Sequence, residues 1–172
     1  SVEHDSVLAN APQAERLAVD ANGIVDLEAL SSRLAATEGR KLVSVMLANN
    51  ETGVLQPIQQ IAERCRAGGA WLHVDAVQAL GKVPVDVNAL GADFLTLSAH
   101  KVGGMKGVGA LVLANDLIEI KSAIRGGGQE LGRRSGTENL PGIVSFGAAL
   151  EALAELGDWQ GRVRALRDRM EA

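Results

Sequence analysis

The chain is 172 residues long, 47% hydrophobic and 22% charged, with a formal net charge of -4. That length holds one well-cored domain, and that composition excludes global disorder. The modest negative charge, with no run of Lys or Arg, argues against a nucleic-acid surface or a basic membrane patch and turns attention to a small-molecule partner.

In chain order, the opening SVEHDSVL has no basic start, apolar core or small-residue cleavage site, so it does not read as a secretion signal; the lack of an initiator Met is compatible with a fragment or a processed chain. Asn22-Gly23 marks a turn. LEALSSRLA has helical spacing, VSVMLA reads as a strand, IQQIAERCRA as a helix ending near Ala67, WLHVD, FLTLSA and GALVLA as further strands. Gly68 and Gly69 suit a left-handed cap before WLHV. The alternation predicts an α/β fold, and runs with little polar alternation predict strands buried on both faces, with helices over both. The longest apolar stretches, Val43 to Ala48 and Gly109 to Ala114, are far short of a membrane span. From Pro141 onward, apolar spacing of three and four predicts one or two amphipathic helices that pack on more protein. The 20 glycines cluster at 103–109 and 126–136, as functional or tight loops.

Ligands of open α/β sheets sit at the carboxyl ends of strands. Polar residues follow three apolar runs there: Asn49, Asn50 and Glu51 in LANNETG, Asp75 and Gln78 in WLHVDAVQ, and Ser98, His100 and Lys101 in FLTLSAHK. A desolvated lysine sheds its proton, and only the neutral amine condenses with a carbonyl, so Lys101 is a candidate covalent anchor. Asp75 is placed to keep a pyridinium nitrogen protonated. Each residue alone has a plainer reading, as a helix cap, a satisfied histidine or a solvated charge; together at three strand ends they favour a site. GGMKGVGAL lacks the Gly-Lys-Ser/Thr ending of a phosphate loop and precedes a strand, so it reads as a tight turn close to Lys101. His73 and Asp75 are too few for a metal site. The single cysteine, Cys65, forms no internal disulfide, which suits a reducing compartment such as the cytoplasm, and its helical setting reads as packing, not nucleophile.

Taken together, VEHDSVL, ANNETG, HVDAVQALGKVPVDV, LSAHKVGGMKGVGAL and GGGQELGRRSGTENLPGIV resemble the middle of a NifS/IscS-type cysteine desulfurase, within the class V aminotransferase group, over nearly the whole chain. The resemblance implies a fold-type I α/β large domain with a mainly parallel mixed sheet flanked by helices. Residues 1–140 would form its pyridoxal-phosphate-binding core, incomplete at the N-terminus, and 141–172 a helical segment leading toward a small domain. It implies pyridoxal 5'-phosphate bonded to Lys101, which also moves protons, with His4 stacked on the ring and assisting proton transfer. Asp75 would pair with the ring nitrogen, Gln78 with the phenolic oxygen, and Asn50 would lie near that oxygen and the substrate carboxylate. Ser98 and His100 would hold the phosphate, joined by Thr137 from the partner of a homodimer.

The implied reaction takes L-cysteine to L-alanine and leaves a persulfide on a protein cysteine, from which sulfur passes to an acceptor or scaffold protein for iron-sulfur clusters and other products. That nucleophile is expected on a loop beyond RSGTEN, past the end of this chain, so the isolated chain is expected to be inactive; Cys65 does not match it. Met105 departs from the proline usual in the family. The alternatives are another class V enzyme such as a selenocysteine lyase, or a noncatalytic remnant serving as an interaction module.

Overall fold

The computed structural model describes residues 2–172, and its elements follow from local sequence. In order they are α1 (Asp5–Leu8), α2 (Leu27–Ala36), β1 (Lys41–Met46), α3 (Ile58–Ala67), β2 (Ala70–Asp75), α4 (Val87–Leu90), β3 (Phe94–Ser98), β4 (Gly109–Leu113), α5 (Leu140–Glu155) and α6 (Trp159–Glu171), with 3-10 turns at Ala99–Lys101 and Gln129–Gly132. Aspartates start three of the helices by accepting first-turn amides: Asp26 those of Glu28 and Ala29, Asp86 those of Asn88 and Ala89, and Asp158 that of Gly161. At the end of α3 it is Gly69, at φ +63°, that takes the left-handed conformation. Gly68 stays at φ -86° and is needed for space, since a Cβ there would lie 2.8 Å from Leu34 Cβ.

Two compact units are present. The first contains residues up to Leu97 together with Ala110–Ala114, and the second Ser98–Gly109 with Asn115–Ala172. The first is built on the sheet, whose order is β1-β2-β3-β4. β1 and β2 are parallel, from Lys41 opposite Ala70 to Met46 opposite Asp75, and β2 and β3 are parallel with Asp75 opposite Thr96. Bonds from the Ala114 amide to Asp93 O and from the Ala99 amide to Val108 O run β4 antiparallel to β3. The sheet is therefore mixed and mainly parallel.

One face of the sheet carries Val43, Val45, Leu72, Val74 and Leu95 into a core with Leu30, Leu34, Ile58, Ile61 and Cys65 of α2 and α3. The other face is more open within this unit. Leu42 and Trp71 are 64% and 39% exposed there, and the indole of Trp71 meets the Phe94 ring at 5.5 Å between centroids. The strands thus show a period-2 burial pattern over most of their length, buried at 43, 45, 72 and 74 and open at 42 and 71, while Met46 and Asp75 at their ends are buried on the otherwise open face.

In the second unit α5 packs against the 3-10 turn at Ala99–Lys101. The break before α6 falls at Gly157, φ +58°. Leu140, Val144, Val163, Leu166 and Met170 are exposed along these two helices. Among the described residues no single helix is long and apolar enough to cross a membrane.

Candidate active site at the strand ends

In the first unit, the ends of β1 and β2 lie side by side. Asp75 is buried, and its Oδ1 accepts the Val77 amide at 2.9 Å, which turns the chain out of β2 and leaves Oδ2 available. Gln78 follows in that turn, half-buried and without a side-chain hydrogen bond among the described residues. After β1, the loop is organised by Asn49. Its Oδ1 accepts the amides of Glu51 and Thr52, both at 2.9 Å, while its Nδ2 donates to Val2 O at 2.9 Å. The neighbouring Asn50 is exposed and donates to Glu51 Oε1 at 2.6 Å.

The Asn49 bond ties residues 2–4 to the end of β1. Glu3 Oε1 accepts the Met46 amide at 2.7 Å, and burial, aided by the charge of Asp75, raises its pKa to about 7 against the pull of the Met46 amide. His4 is exposed and serves as the cap of α1: its Nδ1 accepts the Ser6 amide at 3.1 Å and lies 2.8 Å from Ser6 Oγ. Sequence reasoning passed over Glu3; the available signal was an acid immediately before His4 in a motif already singled out. Two residues before Asp75, on the same face of β2, His73 bridges Ser44 Oγ at 2.8 Å and Thr96 Oγ1 at 3.1 Å, a polar rung across three strands. Burial lowers its pKa, and the Asp75 charge offsets part of that.

In the second unit, Ser98 Oγ and His100 Nδ1 are 2.8 Å apart, and Lys101 closes the 3-10 turn. Lys101 is exposed, so this unit does not supply the desolvation expected of it. The turn that follows is tight, as its glycines predict. The Gly104 amide reaches Ala99 O at 2.9 Å, Gly103 stands at φ +93°, and a Cβ on Gly104 would press to 3.0 Å from that of Ala99. Met105 leaves this turn intact, its amide donating to Ser145 Oγ at 3.0 Å. Thr137 is exposed beyond Ser135, which is buried and donates to Gly127 O at 2.7 Å. Glu130 and Leu131, at φ 51° and 57°, hold left-handed backbone within the same glycine-rich stretch.

Cys65 faces the core of the first unit at 2% exposure, where burial pushes the thiol up to about 11. A shallow hollow elsewhere, lined by Leu47, Gln56, Ile58 and Leu90, offers no chemistry, because Gln56 is already bonded to the Val25 amide and to Gly23 O.

The sequence profile of the class-V aminotransferases matches residues 2–163. The chain is 47% identical over 179 residues to a cysteine desulfurase of Cereibacter sphaeroides, covering 99% of this chain and 45% of that relative. Among solved structures it is similar to a NifS-like protein from Rickettsia africae, with a TM-score of 0.93 at 38% identity over 99% of this chain and 48% of that one. It is also similar to SspA solved in complex with cysteine, with a TM-score of 0.81 at 34% identity over 87% of this chain and 45% of that one. The chain spans about half the length of the curated relatives it matches.

Proposed function

The chain belongs to the class-V aminotransferase family, and from that premise we propose that it is the cofactor-binding core of a cysteine desulfurase, with residues 1–140 as that core and 141–172 leading toward a further domain. The observation that carries this reading is the 47% identity to a cysteine desulfurase along 99% of the chain, within which the Asp75 and Lys101 motifs fall at strand ends. A structural relative bound to cysteine supports that amino acid as the substrate.

The donor set suits pyridoxal 5'-phosphate. Asp75 has one carboxylate oxygen left over from its turn bond, suited to a cationic ring nitrogen, and Ser98 with His100 forms a short polar pair suited to phosphate. Lys101 offers an exposed amine one residue after His100. The cofactor, when bound, supplies an electron sink for the carbanion at the substrate carbon. Lys101 would hold it covalently, and its amine would move the proton at the substrate carbon. Asp75 would keep the ring nitrogen protonated, Gln78 would donate to the phenolic oxygen, and Asn50 would serve that oxygen and the substrate carboxylate. His4 would stack on the ring and assist proton transfer, and Thr137 would serve the phosphate of the second copy in a homodimer. A buried thiol that stays protonated is a poor nucleophile. The sulfur-accepting cysteine is therefore not Cys65, and transfer onward runs to a sulfur-acceptor protein. A lone buried thiol also suits a reducing setting such as the cytoplasm.

Incubation with pyridoxal phosphate, borohydride reduction and peptide mass spectrometry test the anchor. One pyridoxyl adduct, on Lys101, is the expected result. Adducts scattered over several lysines would overturn the assignment.

A further inference from the structure

Glu3, half-buried with one oxygen closed off from solvent, is a carboxyl at these strand ends that the proposed chemistry leaves unused. Its segment is clamped on either side, by the Asn49 bond to Val2 O at 2.9 Å and by its own bond to the Met46 amide at 2.7 Å. Its other oxygen, Oε2, is closed off from solvent and has no hydrogen-bond partner among the described residues. Met46 stands directly opposite Asp75 in the β1–β2 register. A carboxylate with a buried oxygen lacking a donor is costly, and two carboxylates in one another's field do not both ionise cheaply. A carboxylic acid lowers both costs, since the proton takes the charge off the orphaned oxygen and removes one of the two charges.

We propose that Glu3 is a positioning residue: braced on the Met46 amide as the neutral acid, it leaves Asp75 as the buried anion at the ends of β1 and β2 and holds the backbone that carries His4. The role of Asp75 toward a ring nitrogen rests on the function proposed above; the protonation of Glu3 does not. The groups acting on Glu3 are few. Burial dominates, the Met46 amide of β1 opposes it, and the Asp75 charge of β2 reinforces it. His73 of β2 stands in the same Asp75 field, and His4 is its neighbour in the chain. Were Glu3 ionised, two negative charges would compete for one cationic nitrogen. With Glu3 neutral, a single carboxylate meets it.

Carbon-13 titration of the full chain reads the first half directly, with the Glu3 carboxyl resonance identified by its loss in Glu3→Gln. A midpoint near 7 is expected; a midpoint between 4 and 5, where exposed glutamates titrate, overturns the proposal. Glutamine reproduces the neutral acid, with an acceptor for Met46 and a donor in place of Oε2–H, whereas alanine has neither. The melting temperature of Glu3→Gln relative to the parent should therefore rise between pH 5 and pH 8, and a difference independent of pH counts against it. With pyridoxal phosphate as the probe, the near-ultraviolet absorbance of the bound cofactor should show a pH step near 7 in the parent and none in Glu3→Gln. Its affinity should fall about tenfold in Glu3→Ala and return in Glu3→Gln, in line with loss of a buried hydrogen bond. If the parent takes up no cofactor, the functional reading has failed and the carboxyl titration still decides Glu3.

Discussion

Asp75 and Val77 are joined by a 2.9 Å bond from the Val77 amide to the Asp75 Oδ1, so the side chain at the end of β2 is oriented by the turn it creates. One carboxylate oxygen shapes the backbone, and the other is available for chemistry. The two roles separate by substitution. Asp75→Asn keeps an acceptor for Val77 and removes the charge, and Asp75→Ala removes both. Asn should unfold in urea close to the parent, while Ala should lose about 1 kcal/mol for the missing bond. Both should bind pyridoxal phosphate at least about tenfold more weakly, since a charge-assisted bond is the stronger kind. Full affinity in Asp75→Asn would sink the ring-nitrogen role.

Cys65 offers a clean negative control for sulfur transfer. At 2% exposure, with its thiol pushed up to about 11 by burial, it should react with an aromatic disulfide reagent only on the timescale of unfolding. Cys65→Ser should cost about 1–3 kcal/mol, because the hydroxyl enters an apolar core made by Ile61, Leu72 and their neighbours. Rapid thiol labelling of the folded chain would contradict this packing.

The adjacent glycines after α3 should fail for different reasons. Gly68→Ala forces a Cβ to 2.8 Å from that of Leu34 and 3.3 Å from Arg64 O, a clash that repacking costs about 1–3 kcal/mol. Gly69→Ala meets nothing within 4 Å but must hold φ +63°, at about 1–2 kcal/mol. Truncating Leu34 should not recover the first loss, because its Cβ makes the closest contact, and urea midpoints of the two single variants read both costs.

Much of this architecture was legible because it is local. The helix IQQIAERCRA spans Ile58–Ala67 as its periodicity dictates, and β1 to β4 fall on the four apolar runs. Burial was less legible: VSVMLA looks uniformly apolar, yet on one face Leu42 is exposed and Met46 buried, and periodicity cannot tell a strand covered along its whole length from one covered at its end. The strand-end residues Asp75, Ser98, His100 and Lys101 were visible as polar residues closing apolar runs. Glu3 was not, because its importance comes from a partner 43 residues away, the Met46 amide, and from a desolvation that sequence does not display. His73 was weighed only as a metal ligand, whereas its partners Ser44 and Thr96 are brought to it by parallel register.

The pH dependence of stability should show Glu3 and His73 pulling in opposite directions. Burial lowers His73 below its ordinary 6.5, so the unfolded chain takes up the proton first; the stability this residue contributes is present above 6.5 and is lost as pH falls through the folded value. Glu3 is raised from 4.5 to about 7, so its contribution is full below 4.5 and is lost as pH rises through about 7. Between pH 5 and 7 the two slopes offset one another in the parent. Replacing either residue should expose the other: relative to the parent, His73→Gln loses a rising component and Glu3→Gln a falling one. Urea midpoints measured at half-unit steps from pH 5 to 7.5 read both differences. A His73→Gln difference that stays constant across that range would mean that the ring is not desolvated on the Ser44 and Thr96 rung, and that its bonds do not hold it neutral.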